Sequence, residues 1–330
     1  IELNSKKNAL LDSAYSQYRN DDSCVGPVAG SFHVVAFDTA TLSAHTNGNI
    51  LATNLVANSN FGTNPKGSVT VKELSYIQNY TTVPESSGST EHQCLLVLGS
   101  AMDSKIGLAD NNNAITINGT KIGKPKDYVV DEDTDKKPFI DIQALKDDVI
   151  ALGKDLADND TQGATYDFTK DQNNRYIDVS ASGAAFVNVS ASELGQYSSN
   201  PIKITGLTKA TKNSIIINVD CSGVTDVRFA SEIKVFIDGQ EASHSETVDF
   251  STGRVLWNFT NTTSATKIYL NNYFGQIIAP NASVTANNGN GNIIAQNVTT
   301  TGETHRHDFT GTTEGTSSKL AVSKSFEDNN

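Results

Sequence analysis

The sequence predicts a mainly β protein of solenoid, parallel β-helix-like type with one long helix packed along its side. Three observations predict it. "GQIIAPNASVT" at Gly275 is followed sixteen residues later by "GNIIAQNVTTT" at Gly291, and "GNILATNLVAN" at Gly48 matches the second copy at Gly, Asn, Ile, Ala and Asn. Short β-type runs punctuated by Gly, Asn and Ser fill most of the chain, and from Tyr176 onward they are joined neither by tight Asn-Gly hairpins nor by crossover helices. Ile142, Leu145, Val149, Leu152 and Leu156 recur at helical spacing between charged residues.

In a solenoid each turn of chain lays its strands on the previous turn, so a period of sixteen marks successive coils whose Ile and Val side chains stack. The Gly of each copy permits the corner, and the Asn after the strand accepts a left-handed backbone or joins a side-chain ladder. From the N-terminus, residues 1–30 read as a short helix around Ala9, Leu10 and Ala14 and a loop. Strands follow from Ser31 to about Gly123, including "SFHVVAF", "SVTVKELSYI", "CLLVLG" and "AITINGTKIG". A charged loop and the amphipathic helix, Ile140 to Leu156, occupy 124–160. The β pattern then returns in "YIDVSASGAAFVNVS", "SIIINVD" and "RVLWNFTN". The organisation expected is an N-terminal helix and loop (1–30), one β-solenoid domain (31–309) with the helix as lateral cover, and a C-terminal linker (310–330).

The bulk numbers narrow the function. With 25 basic against 37 acidic residues the net charge is -12, which argues against nucleic acid, whose affinity draws on Lys and Arg. No apolar stretch approaches the ~20 residues of a membrane span. Asn supplies 33 of 330 residues, a polar, turn-rich composition. Cys24, Cys94 and Cys221 permit at most one disulfide and match no zinc motif.

"SFHVVAFDTATLSAHTNGNILATNL" and "NFGT" near the start, with "RVLWNFTNTTSATKIYLNNYFGQIIAPNASVTANNGNGNIIAQNVTTTGETHRHDF" near the end, resemble the choice-of-anchor A domain. The resemblance covers most of 31–309. It implies an adhesive domain at the outward end of a bacterial fibrillar adhesin, in a secreted, wall-anchored parent with stalk domains beyond the C-terminus. The implied partner is a host glycan or matrix protein.

Candidate chemistry is sparse. "THRHDF" sets His305 and His307 on one strand face with Asp308 opposite, but no third ligand is evident, and a structural hydrogen-bonding role is favoured. Asp131, Asp133 and Asp135 alternate as in calcium loops, making calcium the one candidate cofactor, although Lys136 and Ile142 stand where an EF-hand needs Gly and Glu. A polysaccharide-active enzyme would need paired carboxylates, and among Asp220, Asp226, Glu232, Asp238, Glu241 and Glu246 no spacing singles out two. No nucleophile elbow, phosphate loop or zincin motif occurs. Catalysis is therefore not expected. Ice binding would need Thr-x-Thr on coil after coil, whereas the Thr-rich stretches "NVTTTGET" and "YTTVPESS" are isolated. Tyr76, Tyr80, Tyr269, Tyr273 and Phe274 are the aromatics to examine as ligand contacts.

Overall fold

A computed structural model describes residues 13–62, 72–85, 94–125, 128–133, 138–246 and 249–315. The first half contributes β1 (Val34–Leu42), β2 (Thr46–Asn47), β3 (Ile50–Ala57), β4 (Leu74–Tyr80), β5 (Cys94–Leu98), a small antiparallel excursion of β6 (Ile106–Ala109), β7 (Ala114–Ile117) and β8 (Thr120–Gly123), and β9 (Tyr128–Glu132). Helix α1 (Ile142–Ala157) follows. The second half contributes β10 (Ala164–Asp167), β11 (Arg175–Val179), β12 (Ala184–Ser190), the short α2 (Ala191–Gly195), β13 (Ile202–Leu207), β14 (Ser214–Asp220), β15 (Asp226–Arg228), β16 (Ile233–Ile237), β17 (Gln240–Glu241), β18 (Val255–Thr260), β19 (Lys267–Phe274), β20 (Gln276–Asn290), β21 (Ile293–Thr300) and β22 (Thr304–His305).

The stacking is parallel, and its order is not the chain order. The main sheet runs β12-β14-β18-β20-β21-β1-β3-β4-β5-β9. The first half therefore winds away from the middle of the stack, and the second half winds back to meet it, with β21 pairing β1. Helix α1 makes the return journey: at 1.5 Å per residue it covers ~24 Å, about five coil spacings of ~4.8 Å. It contacts β14, β18, β20 and β1. This order explains the distant repeat. The Gly48 copy lies one coil beyond β1, and the inner column runs Ile277, Ile293, Val34, Ile50 in register.

The doubled Ile of the repeats reflects two apolar faces. Ile277 and Ile293 point into the solenoid, whereas Ile278 and Ile294, with Val35, Leu51, Ile216 and Leu256, point outward against Ile142, Leu145, Val149 and Leu156 of α1. The helix starts with its apolar pattern at Ile142, two residues later than the expected Ile140, because Asp141 caps it by accepting a hydrogen bond from the Ala144 amide at 3.0 Å. An amide ladder pins its C-terminal half: Asn258 donates to Asn218 (2.8 Å) and to the Gly153 carbonyl (2.9 Å), and Asn218 donates to Asn188 (2.9 Å) and the Leu156 carbonyl (3.0 Å). Glycine is required at the corner: Gly291 has φ +143°, and a Cβ there would sit 1.9 Å from the Gly275 carbonyl oxygen of the adjacent coil.

Segments outside 31–309 join the same body. Tyr15 and Tyr18, from the turn of 3-10 helix at Ser13–Tyr18, pack on the outer cluster with Val25 and Val28, and Tyr15 meets the Phe139 ring edge-on at 5.0 Å. At the other end the Glu314 carbonyl accepts from the Ala184 amide (3.1 Å). The helix expected around Ala9 and Leu10 lies outside the described residues. All three cysteines are free thiols.

The seam where the halves meet is polar and buried. Arg306 binds Asp308 through two nitrogens (2.9 and 3.1 Å) and reaches Asn49 and Glu73 across the seam, both at 3.2 Å. Asn292 donates to Asp308 (2.7 Å), and its side-chain oxygen accepts from His33 Nδ1 at 3.4 Å, while His33 Nε2 meets the Thr304 hydroxyl at 2.9 Å. Burial lowers His33 to about 3 and His307 to about 4, and raises Glu73, one of whose oxygens is unpartnered, to about 7. A depressed histidine stabilises the fold above its unfolded value near 6.5 and loses that contribution as pH falls below it. A raised carboxyl does the reverse, contributing most below its unfolded value and losing it as pH rises toward 7. From pH 6.5 down to 5 the two histidines therefore destabilise the fold while Glu73 offsets part of the loss. With two histidines set against one acid, urea denaturation is expected to show a net loss of stability over that interval, and His33→Asn to reduce it.

Candidate binding face

Strands β19 to β3 also build a second solenoid face, on the next side of each coil, past the register shift that follows Ala279 and Ala36. Period two sends Val284, Ala286, Val298, Ala40 and Leu55 inward and alternate residues outward. Parallel register then aligns the outward residues in columns. One column runs Lys267, Ser283, Asn297, Thr39, Asn54, Asn79, and the next runs Tyr269, Thr285, Thr299, Thr41, Val56. Coils are ~4.8 Å apart and alternate residues along a strand ~6.6 Å apart, so these short side chains form a regular two-dimensional array.

Cross-coil hydrogen bonds fix the array. Asn297 donates to Ser283 Oγ at 3.2 Å and accepts from the Thr39 amide at 3.3 Å, and Asn54 donates to Asp38 Oδ1 at 3.0 Å. Thr285, Thr299 and Thr41 are half-buried, with their backbone paired and their side chains on the outward side. At one end the Arg228 guanidinium lies over the Tyr269 ring, 3.8 Å from its centre, giving the face an aromatic and cationic margin.

Of the five aromatics singled out in the sequence, only Tyr269 is on this face. Tyr76, Tyr80, Tyr273 and Phe274 are buried, so they are corrected from contact candidates to core residues. Each hydroxyl is occupied: Tyr76 donates to Asp133, Tyr80 meets Ser104, and Tyr273 donates to the Gly291 carbonyl at 2.7 Å. Phe274 packs on His307, their ring centres 5.2 Å apart.

Asp133 holds the Tyr76 hydroxyl and the Ser100 amide (2.8 Å), which is a structural role. Asp135 and the side chain of Asp131 lie outside the described residues. His305 and His307 have separate partners: His305 Nδ1 donates to Asn290, whereas His307 Nε2 meets Thr252 at 2.9 Å. The chemistry of "THRHDF" resides in Asp308, which the sequence set opposite the two histidines, and in Arg306, which sequence reasoning passed over. A signal for them existed in the Asn shared by the Gly48 and Gly291 copies, because Asn49 and Asn292 are the hubs of that buried network.

The carboxylates considered for hydrolysis have separate surroundings. Asp220, held ionised by Ser222 and Asn261, lines a cleft of about 730 Å³ between α1 and the ends of β12, β14 and β18. Glu232 lies 3.9 Å from Lys234, and Asp238 accepts from the Lys209 amide at 3.3 Å. Glu246 belongs to a convergent group among the described residues, with His45 and Glu303.

Residues 26–306 match the family described as "Putative Ice-binding-like adhesive domain". The chain belongs to this family. Membership of an adhesive-domain family agrees with the class of domain that the resemblance implied. No curated protein sequence matches the chain. Among solved structures, it is similar to an ice-binding protein from an Antarctic biological consortium, at 11% identity and a TM-score of 0.31, over 84% of this chain and 88% of that one. It is also similar to an ice-binding protein with antifreeze activity from an Arctic yeast, at 10% identity and a TM-score of 0.33, over 90% and 99%. The fold assignment rests on the strand register itself.

Proposed function

We propose that this adhesive domain is the non-catalytic head of a bacterial cell-surface fibrillar adhesin, of the choice-of-anchor A type, and that the ladder face binds a host glycan or matrix protein. The regular array of Ser283, Asn297, Thr39 and Asn54 beside Thr285, Thr299 and Thr41 is the observation that carries the reading. Short side chains already fixed by cross-coil bonds lose little entropy on contact, so many weak interactions add up over a flat surface. The Arg228–Tyr269 pair supplies the kind of anchor that dominates recognition surfaces. Its adhesive family supports an extracellular domain, which we take to be carried by stalk domains of a wall-anchored parent; among the described residues no helix is long and apolar enough to cross a membrane.

A second reading, ordering of water or ice, is favoured by the Thr285–Thr299–Thr41 column. That column covers only three coils, ending at Val56 on one side and Tyr269 on the other. The test is attachment of the purified domain to glycan and matrix-protein arrays. Thr41→Lys with Thr299→Lys is expected to weaken attachment at least tenfold with an unchanged melting temperature. Attachment that survives this double change would remove the ladder face from the account, and shaping of growing ice crystals without array binding would favour the second reading.

A further inference from the structure

We propose that His45, Glu246 and Glu303, with the side-chain oxygen of Asn47, form a site for a divalent cation of the zinc class that clamps the 243–246 loop to the seam between the two halves. One ligand atom from each of the first three lies within 4.8 Å of the others. Donors around a tetrahedral cation at ~2.1 Å are ~3.4 Å apart, so side-chain rotation has to close the group by up to ~1.4 Å.

The topology dictates the meeting. Strands β2 and β22 pair in parallel with Thr46 opposite Thr304 and Asn47 opposite His305, which sets position 45 beside position 303 on adjacent coils. The Thr304 amide donates to the His45 carbonyl at 3.3 Å, extending that pairing. Both side chains are then aimed by further contacts. His45 Nδ1 donates to Asn60 Oδ1 at 2.6 Å, a bond of the kind that orients metal-bound imidazoles. Glu303 Oε1 lies 3.2 Å from His305 Nε2. Asn290, which accepts from His305 Nδ1, donates its amide hydrogens to the carbonyls of Ser243 (3.2 Å) and Ser245 (3.0 Å), so the loop carrying Glu246 is tied to the same corner.

Asn47 gives the independent indication. It is fully buried, its Nδ2 donates to Glu246 Oε2, and its Oδ1 has no hydrogen-bond partner. A buried, unpartnered carbonyl oxygen is destabilising, and a cation beside Glu246 would satisfy it. Neither glutamate has a Lys or Arg partner among the described residues, and the His305 imidazole beside Glu303 is a cation only when protonated. One imidazole, two carboxylates and an amide oxygen suit a borderline ion such as Zn²⁺, whereas calcium takes six to eight oxygens.

The experiment uses the full chain without an affinity tag, stripped with chelator and titrated with zinc chloride by calorimetry, with cobalt(II) absorption as a spectroscopic check. One zinc per chain with micromolar or tighter affinity is expected, together with a rise in melting temperature. His45→Gln and Glu246→Gln are each expected to weaken binding at least tenfold and to remove the tetrahedral cobalt bands. Glu246 lies on a loop outside the stacked strands, so Glu246→Gln decides the matter if the histidine variant does not fold. Absence of saturable zinc binding, or binding that survives Glu246→Gln, would overturn the site.

Discussion

Ile293→Asp is expected to leave the domain unfolded at room temperature. Ile293 is fully buried in the inner column between Ile277 on one coil and Val34 on the other, at the joint where the two halves of the chain meet. Removing its side chain from such a site costs about 2–5 kcal/mol through lost burial and the cavity left behind. Adding an unpaired carboxylate costs several more, even after the group protonates. The sum is comparable to the 5–15 kcal/mol of a typical domain. Ile293→Val, which keeps the column filled, is expected to lose only about 0.5–1.5 kcal/mol. Circular dichroism and urea denaturation measure both. A cooperative transition of the Asp variant near the parent midpoint would contradict the stacked register.

Arg306→Met is expected to be the next most damaging change, at about 3–5 kcal/mol, because it strands the buried Asp308 carboxylate and takes from Glu73 the cation that favours its ionised form. Arg306, Asp308 and Glu73 are each at most 5% exposed, so neither acid can recover its lost partner from solvent. The triple variant Arg306→Met, Asp308→Asn, Glu73→Gln removes the charges together and is expected to regain at least half of that loss. A triple variant no more stable than the single one would mean that geometry at the seam, not charge, is what Arg306 supplies.

The coils were legible because their residues recur. Gly275 and Gly291 stand at corners where no Cβ fits, and the paired Ile after each corner serves the solenoid interior and the helix in turn. The helix was legible for the same reason, since its apolar spacing needs no knowledge of what it covers. The stacking order was not: a sixteen-residue repeat shows that coils stack but not that β1 enters beside β21, a contact between residues about 260 positions apart. The ladder face was hidden likewise, because Thr285, Thr299 and Thr41 become a column only through that order. The aromatics misled because ring type does not report exposure. Tyr76 and Tyr273 satisfy their hydroxyls within the core, on Asp133 and on the Gly291 carbonyl, and so need no solvent.

Zinc at the seam and ligand at the ladder face are separable, since His45 and Glu303 lie at the coil corner beside β2 and β22 rather than on the columns. The adhesive reading itself is tested most directly by one measurement: the purified domain is held at saturating concentration on immobilised mucin and polysaccharide, and the soluble phase is assayed for released saccharide. Saturable, reversible attachment with no product over many hours is the expected result. Steady release of product, abolished by Asp220→Asn or another single exposed carboxylate change, would contradict it.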